Sequence, residues 1–159
     1  MNKAEFDSAL PEIQAHLTGH WLTDLANFSA FVFERVPGLN WAGFYLNDGK
    51  KLILGPFVGN PACTEIAYTR GVCGAAFTKR DAILVKDVHE FPGHIACDAA
   101  SRSELVLPLM VSGECLGVFD MDAPTVDHFT EEDKRGVDLW LSALVGKVPS
   151  ASWNRRPWA

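Results

Sequence analysis

Three of the four cysteines in this chain lie in polar or glycine-rich segments, where a thiol is available for chemistry. Cys97 lies in the segment GHIACDAAS, Cys73 in RGVCG and Cys63 in PAC. A thiol near a histidine, an arginine and residues typical of a helix start can ionise, and the thiolate is the reactive form. We therefore predict that Cys97 is a nucleophile. The N-terminus carries no secretion signal, so we expect reactive thiols rather than structural disulfides.

Each of these residues also has a simpler interpretation. Many free cysteines act only as small apolar side chains, which is what we expect of Cys115 in the apolar stretch ECLGVF and what remains open for Cys73 under its glycine turn. His89 and His94 lie near the cysteines in sequence, but the chain has no CxxC pair and no closely spaced HxH motif. We therefore expect no metal site and no cofactor.

The composition limits the kind of protein that this chain can be. Its 159 residues, 48% hydrophobic and 21% charged, can bury one core and are too few to divide comfortably into two domains. A net charge of −6 offers no basic surface to a nucleic acid. Because no run of about 18 apolar residues occurs, we expect no contact with a membrane and place the protein in the cytoplasm.

Apolar residues recur at helical spacing near both ends of the chain. Residues 10–32 show this period and are interrupted at Gly19, which predicts two helices. Towards the C-terminus, Thr130 is followed three residues later by Asp133, a capping pattern that predicts the start of a long helix. The tail, residues 149–159, contains two tryptophans and two arginines and shows no period.

Between these helices the chain has the alternation and the turn residues of β-strands. Polar turns with the sequences NDGK and SGE join two pairs of strands. The predicted strands cover residues 40–46, 51–57, 65–68, 83–85, 104–111 and 115–122, with a short helix ending near residue 77. Residues 87–103 form a polar connection of a length that is usually functional. Helices at both ends of an antiparallel sheet predict an α+β fold.

Three carboxylates lie at the ends of two of these strands. Asp120 and Asp122 are two residues apart, so in a strand they point to the same face, and Glu104 begins the neighbouring strand. Grouped like charges and apolar surroundings both raise the pKa of a carboxyl group, so one of the three can hold a proton near neutral pH. Trp41 and Tyr45 also share a face, as pocket residues or as core residues do.

The segments NWAGFYL, LGPFVGNPAC, RGVCGAAF, DVHEFPGHIACDAASRSELVLPL and LGVFDMDAP resemble those of the free methionine-(R)-sulfoxide reductases, a family of stand-alone GAF domains. The resemblance covers about residues 5–148. It implies a single GAF-like domain over residues 1–148, with a central antiparallel sheet covered by the N- and C-terminal helices, followed by the tail at 149–159. The GHIACDAAS segment and the spacing of the three cysteines distinguish this family from GAF domains that only bind ligands.

The resemblance also implies roles for individual residues. Cys97 would be the catalytic cysteine, Cys63 its usual resolving partner and Cys73 a third cysteine able to join the disulfide relay. The substrate pocket of the family would correspond to five residues here: Trp41, Tyr45, Glu104, Asp120 and Asp122. Thioredoxin would be the reductant, and a homodimer is expected by analogy.

The chemistry of sulfoxide reduction fits these residue types. A thiolate of Cys97 would attack the sulfur and become a sulfenic acid, which condenses with Cys63 or Cys73 to a disulfide that an external dithiol reduces. Glu104 or Asp122 would protonate the departing oxygen, and the remaining charge would suit the ammonium group of free methionine sulfoxide. The sequence leaves one alternative open, a GAF domain that senses a small metabolite or oxidant with Cys97 as its redox switch.

Overall fold

The computed structural model describes residues 1–95 and 97–159, and its helices and strands follow the period changes in the sequence. A 3-10 helix, Val88–Glu90, interrupts the long polar connection. The elements in chain order are α1 (Lys3–His16), α2 (Trp21–Arg35), β1 (Trp41–Asn47), β2 (Leu52–Gly59), β3 (Glu65–Ile66), α3 (Gly71–Lys79), β4 (Ile83–Val85), β5 (Ser103–Val111), β6 (Glu114–Ala123), α4 (Glu131–Lys147) and α5 (Ser150–Asn154).

The six strands form one antiparallel sheet in the order β3-β2-β1-β6-β5-β4. The first and last long hairpins are therefore joined side by side through β1 and β6, where Gly43 pairs with Asp120 and Trp41 with Asp122. Glu104 of β5 pairs with Asp122 from the other side. The predicted α+β class and the antiparallel sheet are confirmed, and the three acidic residues lie on adjacent strands.

One face of the sheet packs against the terminal helices. Phe44 of β1, Leu107 of β5 and Phe119 of β6 are buried in one apolar cluster with residues of α1, α2 and α4. The predicted cap is present, because Thr130 accepts from the backbone N–H of Asp133 and Asp133 accepts from that of Thr130. A capping box satisfies two amides that a helix start otherwise leaves free. The helices thus cover a core that lies on the side of the sheet opposite to the carboxylates.

The other face of the sheet packs against α3 and the long connections. Trp41, Tyr45, Val106 and Val118 belong to a second buried cluster on this face. Side chains along a strand alternate between faces, so Asp120 and Asp122 flank Met121, which belongs to the helix-side core. The predicted common face of the two aspartates is therefore confirmed.

The tail is packed against the domain rather than free of it. It contains the short helix α5, which the absence of a period in the sequence did not predict. The Trp153 side chain is completely buried in the helix-side core, and Trp158 donates from Nε1 to the carbonyl oxygen of Asn47 at 2.9 Å. In the part of the chain that the structure describes, no helix has the length and apolar character needed to cross a bilayer.

Candidate functional site

A cavity opens on the sheet face that carries the three acids. All five residues predicted for the substrate pocket line it, namely Trp41, Tyr45, Glu104, Asp120 and Asp122. Cys73 and Cys97 also reach its wall. The cavity measures about 40 Å³, and one water needs roughly 10–15 Å³. In this disulfide-bonded state it therefore has room for a few water molecules.

A disulfide bond joins Cys63 to Cys97 beside this cavity, with their Cα atoms 5.2 Å apart. The two cysteines are 34 residues apart in sequence, so the bond ties the connection after β2 to the connection before β5. Both side chains are half-buried. Cys73 and Cys115 are free thiols and are buried. The structure thus pairs the two cysteines that the family resemblance assigned as catalytic and resolving.

Two aromatic residues of β1 hold the connection that carries Cys63. The Tyr45 hydroxyl donates to the carbonyl oxygen of Cys63 at 2.9 Å, and Trp41 donates from Nε1 to the carbonyl oxygen of Asn60 at 3.1 Å. The two rings stack with centroids 5.8 Å apart. Gly43 lies between them on the strand, and a Cβ there would come within 2.3 Å of Phe57 Cβ. These aromatic side chains therefore form the cavity wall and also fix one cysteine of the pair.

Asn40 holds the segment that carries Cys97, a role that the sequence analysis did not predict. Its Nδ2 donates to Asp98 Oδ2 and to Ser101 Oγ, each at 3.2 Å. Asp98 also accepts from the backbone N–H of Ala100 at 2.9 Å. Asn40 precedes β1 directly, so one side chain links the start of this central strand to the cysteine segment. In the sequence, Asn40 is visible only as a polar residue immediately before an apolar strand. This position by itself does not identify its hydrogen-bond acceptors.

Burial in the cavity wall raises the pKa of all three acids. Desolvation is the largest cause for each, and the charges of Asp120 and Asp122 add to it at Glu104. The pKa of Asp120 rises to about 6, whereas the pKa values of Glu104 and Asp122 rise well above the ordinary carboxyl range. Burial therefore favours the protonated form of all three carboxyl groups. These pKa shifts have the direction that was predicted for grouped acids in an apolar wall, and the individual roles of the three acids stay a prediction.

Glu104 lies between a thiol and an imidazole. Cys73 Sγ is 3.9 Å from Glu104 Oε1, and His94 Nε2 is 3.9 Å from Glu104 Oε2. Burial, followed by the charge of His89, lowers the pKa of His94, so this imidazole is neutral at neutral pH.

The side chains of Cys73, Glu104 and Asp120 could together hold a metal ion, since one ligand atom from each lies within 4.8 Å of the others. This set differs from the histidine and cysteine set considered from the sequence. A thiol hydrogen bond to a carboxylate brings the same atoms together without an ion, because sulfur donates over such distances.

Comparison with known proteins gives a consistent set of relatives. A family model described as the GAF domain matches residues 25–139, which include all six strands. The free methionine-R-sulfoxide reductase of Escherichia coli (strain K12) is 48% identical over 158 residues, which cover 98% of this chain and 96% of that protein. The similarity therefore extends into the C-terminal tail, contrary to the expectation that it ends near residue 148.

Two solved structures are similar in both sequence and fold. The X-ray structure of free methionine-R-sulfoxide reductase from Neisseria meningitidis in complex with its substrate is 37% identical, with a TM-score of 0.88 over 98% of this chain and 95% of that chain. The structure of fRMsr of Staphylococcus aureus in its reduced form is 38% identical, with a TM-score of 0.87 over 91% of this chain and 95% of that chain.

Proposed function

The chain belongs to the free methionine-R-sulfoxide reductase family of GAF domains, and we propose that it reduces free L-methionine-(R)-sulfoxide to L-methionine. The observation that carries the proposal is the disulfide between Cys63 and Cys97 at the edge of a cavity lined by buried acids. Two thiols that can be joined, next to groups that can donate a proton, are what sulfoxide reduction requires.

In the proposed reaction, the Cys97 thiolate attacks the sulfur of the sulfoxide while an acid protonates the oxygen. The sulfur–oxygen bond breaks, the oxygen leaves as water, and a sulfonium joined to the Cys97 sulfur remains. A water molecule then attacks the Cys97 sulfur and loses a proton, the bond between the two sulfurs breaks, methionine leaves, and Cys97 becomes a sulfenic acid. The thiol of Cys63 then attacks the Cys97 sulfur, a disulfide forms and water leaves. An external dithiol reduces this disulfide by two exchange steps and is itself oxidised to a disulfide. The enzyme returns to two free thiols, so atoms and electrons balance.

The three acids divide the remaining tasks by their protonation states. Asp120 is ionised at neutral pH and suits the α-ammonium group of a free amino acid. Burial raises the pKa of Glu104 and Asp122 and favours their protonated forms, which suits them to donate a proton to the departing oxygen. The faces of Trp41 and Tyr45 offer the methyl–sulfur end of the substrate an apolar contact. An ammonium partner inside a recessed cavity also excludes methionine sulfoxide within a peptide chain, whose nitrogen is an uncharged amide.

Thioredoxin, a homodimer and a cytoplasmic location belong to the proposal as well. A thioredoxin-like dithiol supplies the reducing equivalents, and such a donor operates in a reducing compartment such as the cytoplasm.

The test compares four substrates under steady-state conditions with a dithiol reductant. These are the R and S epimers of methionine sulfoxide, each as the free amino acid and within a blocked peptide, with methionine formation as the readout. We expect turnover of the free R epimer only, and none with the Cys97→Ser protein. Binding of the free amino acid without turnover would instead support the redox-sensing alternative.

A further inference from the structure

Cys73 is buried against the acids of the proposed reductase site. It lies in the first turn of α3, its side chain is 3% exposed, and its sulfur is 3.9 Å from Oε1 of Glu104. Asp120 lies on the same wall of the cavity, 5% exposed, and its Oδ1 has no hydrogen-bond partner among the described residues. The Cys73 thiol is thus surrounded by carboxyl groups rather than by cationic groups.

This setting keeps Cys73 protonated. Burial raises the pKa of the Cys73 thiol, and the charges of Asp120, Glu104 and Asp122 raise it further. The start of α3 favours a thiolate through the helix dipole, but burial and the three carboxyl groups outweigh this effect, and they are the opposite of the cationic surroundings of a reactive cysteine. A protonated thiol is a hydrogen-bond donor; Glu104 Oε1 accepts from it at 3.9 Å, and a carboxyl oxygen of Asp120 lies within 4.8 Å of the same sulfur.

We propose that Cys73 is a positioning residue, whose thiol donates a hydrogen bond to Oε1 of Glu104 and thereby orients that carboxyl group for proton donation. The inference rests on the proposed reductase function. With Oε1 engaged as an acceptor, the proton of Glu104 resides on Oε2, the oxygen that faces His94 at 3.9 Å. An oxygen atom placed beside Glu104 Oε2 and His94 Nε2 is within hydrogen-bond distance of both atoms. The departing sulfoxide oxygen can therefore receive the proton of Glu104 at this position.

The backbone around Cys73 fixes it in this place. A Cβ on the neighbouring Gly74 would lie 2.7 Å from the carbonyl oxygen of Tyr68 and 2.9 Å from that of Ala67, so α3 packs directly on the preceding segment. The ring of Tyr68, which precedes α3, also stacks on the ring of Phe77 within α3, with ring centroids 4.7 Å apart. A thiol held in this way suits a fixed contact better than the movement that a disulfide relay requires.

Infrared spectroscopy of the S–H stretch tests the hydrogen bond without any assay of activity. In the disulfide-bonded protein only Cys73 and Cys115 carry thiols, so the spectrum contains two bands. The band that disappears in Cys73→Ser should lie below the frequency of a free thiol and should shift in Glu104→Gln. Cys115→Ser is the matched control, because Cys115 Sγ donates to the carbonyl oxygen of Gly117 at 3.3 Å and its loss leaves the other band unchanged.

The rate of methionine formation in a single turnover tests whether the Cys73 hydrogen bond assists proton donation by Glu104. Cys73→Ala should slow this step by about tenfold, the effect of losing one hydrogen bond to an acid, whereas Cys73→Ser keeps a donor and should recover part of the rate. Thermal unfolding of both variants checks that they are folded. In a Cys63→Ser protein, dimedone should trap Cys97 as the sulfenic acid, since Cys73 does not resolve it.

Three results would overturn the inference. One is a Cys73 band at the free-thiol frequency, and another is an unchanged single-turnover rate in Cys73→Ala. The third is a Cys73–Cys97 disulfide in the Cys63→Ser protein after one turnover. Failure of the wild-type protein to form any methionine would instead count against the proposed function. The infrared measurement requires no activity, so it tests the hydrogen bond in either case.

Discussion

The Tyr45 hydroxyl donates a hydrogen bond to the backbone carbonyl oxygen of Cys63 across 2.9 Å. A residue of the cavity wall is thereby connected to the cysteine proposed to resolve the sulfenic acid. Because Tyr45 also stacks on Trp41, its ring and its hydroxyl act on different parts of the site.

The Tyr45→Phe variant should keep the first turnover and slow the second step. The ring and its stacking remain, but the Cys63 carbonyl loses its donor, at a cost of about 1 kcal/mol. Disulfide formation after the first methionine should slow several-fold, as followed by the loss of free thiols. Tyr68→Phe is the matched control, since the Tyr68 hydroxyl donates to Asn47 outside the cavity. Equal effects of the two variants would contradict the role given to Tyr45.

The Michaelis constant should depend on pH through Asp120. Its folded-state pKa is raised to about 6, so the carboxylate becomes protonated and loses its charge as the pH falls below that value. The Michaelis constant for free methionine sulfoxide should rise towards tenfold for each pH unit below about 6 and be level above it. Steady-state kinetics from pH 5 to pH 8 check this expectation.

The Asp120→Asn variant is the control for that profile. An amide carries no charge at any pH, so the variant should show a raised Michaelis constant with no inflection near pH 6. Persistence of the inflection in Asp120→Asn would assign it to another group and remove Asp120 from ammonium binding.

Glu104→Gln and Asp122→Asn should slow the chemical step. A neutral carboxyl group donates a proton to the departing oxygen, and an amide does not, so the single-turnover rate should fall by about 10²-fold or more. The readout is methionine release in one turnover, because recycling by the reductant does not affect it. If neither substitution changes this rate, the proton comes from water or from His94.

Glu104→Gln and Asp122→Asn should also increase the free energy of unfolding at neutral pH. A carboxyl group whose folded-state pKa is raised contributes stability below its unfolded pKa and loses that contribution as the pH rises towards the folded value. The variants should therefore unfold at a higher temperature at pH 7, by ~2–4 °C for each kcal/mol recovered, and the difference should vanish at acidic pH.

Asp24 provides a matched control for that stability prediction. It is fully buried, and it accepts hydrogen bonds from the backbone N–H groups of Thr18 and Gly19 at 2.7 and 2.8 Å. Asp24→Asn should therefore lower the unfolding temperature, since a buried carboxylate with good donors is stabilising. A loss of stability in all three variants would contradict the unfavourable burial of Glu104 and Asp122.

The sequence predicted those parts of the fold that a local period determines. Alternation along the last two long strands placed Asp120 and Asp122 on one face, and the Thr130 capping pattern gave the start of α4. Both features depend on neighbours within a few residues, which a sequence displays directly. The antiparallel class followed from the two polar turns.

Long-range contacts of single polar side chains were not predictable in this way. Asn40 holds Asp98, 58 residues away, and nothing in the type of either residue indicates that distance. Trp153 was also missed, because its burial comes from packing on the domain and not from any period in the tail. The pairing of Cys63 with Cys97 was expected only from the family resemblance, since spacing alone left Cys73 as an alternative.

The central claim is that Cys97 attacks the sulfoxide, and methionine yield in a single turnover without reductant tests it directly. Each reduced protein is mixed with excess free L-methionine-(R)-sulfoxide, and methionine is counted per active site. We predict about one methionine for the wild type and for Cys63→Ser, which then stalls, and none for Cys97→Ser. A wild-type yield from Cys97→Ser would contradict the account.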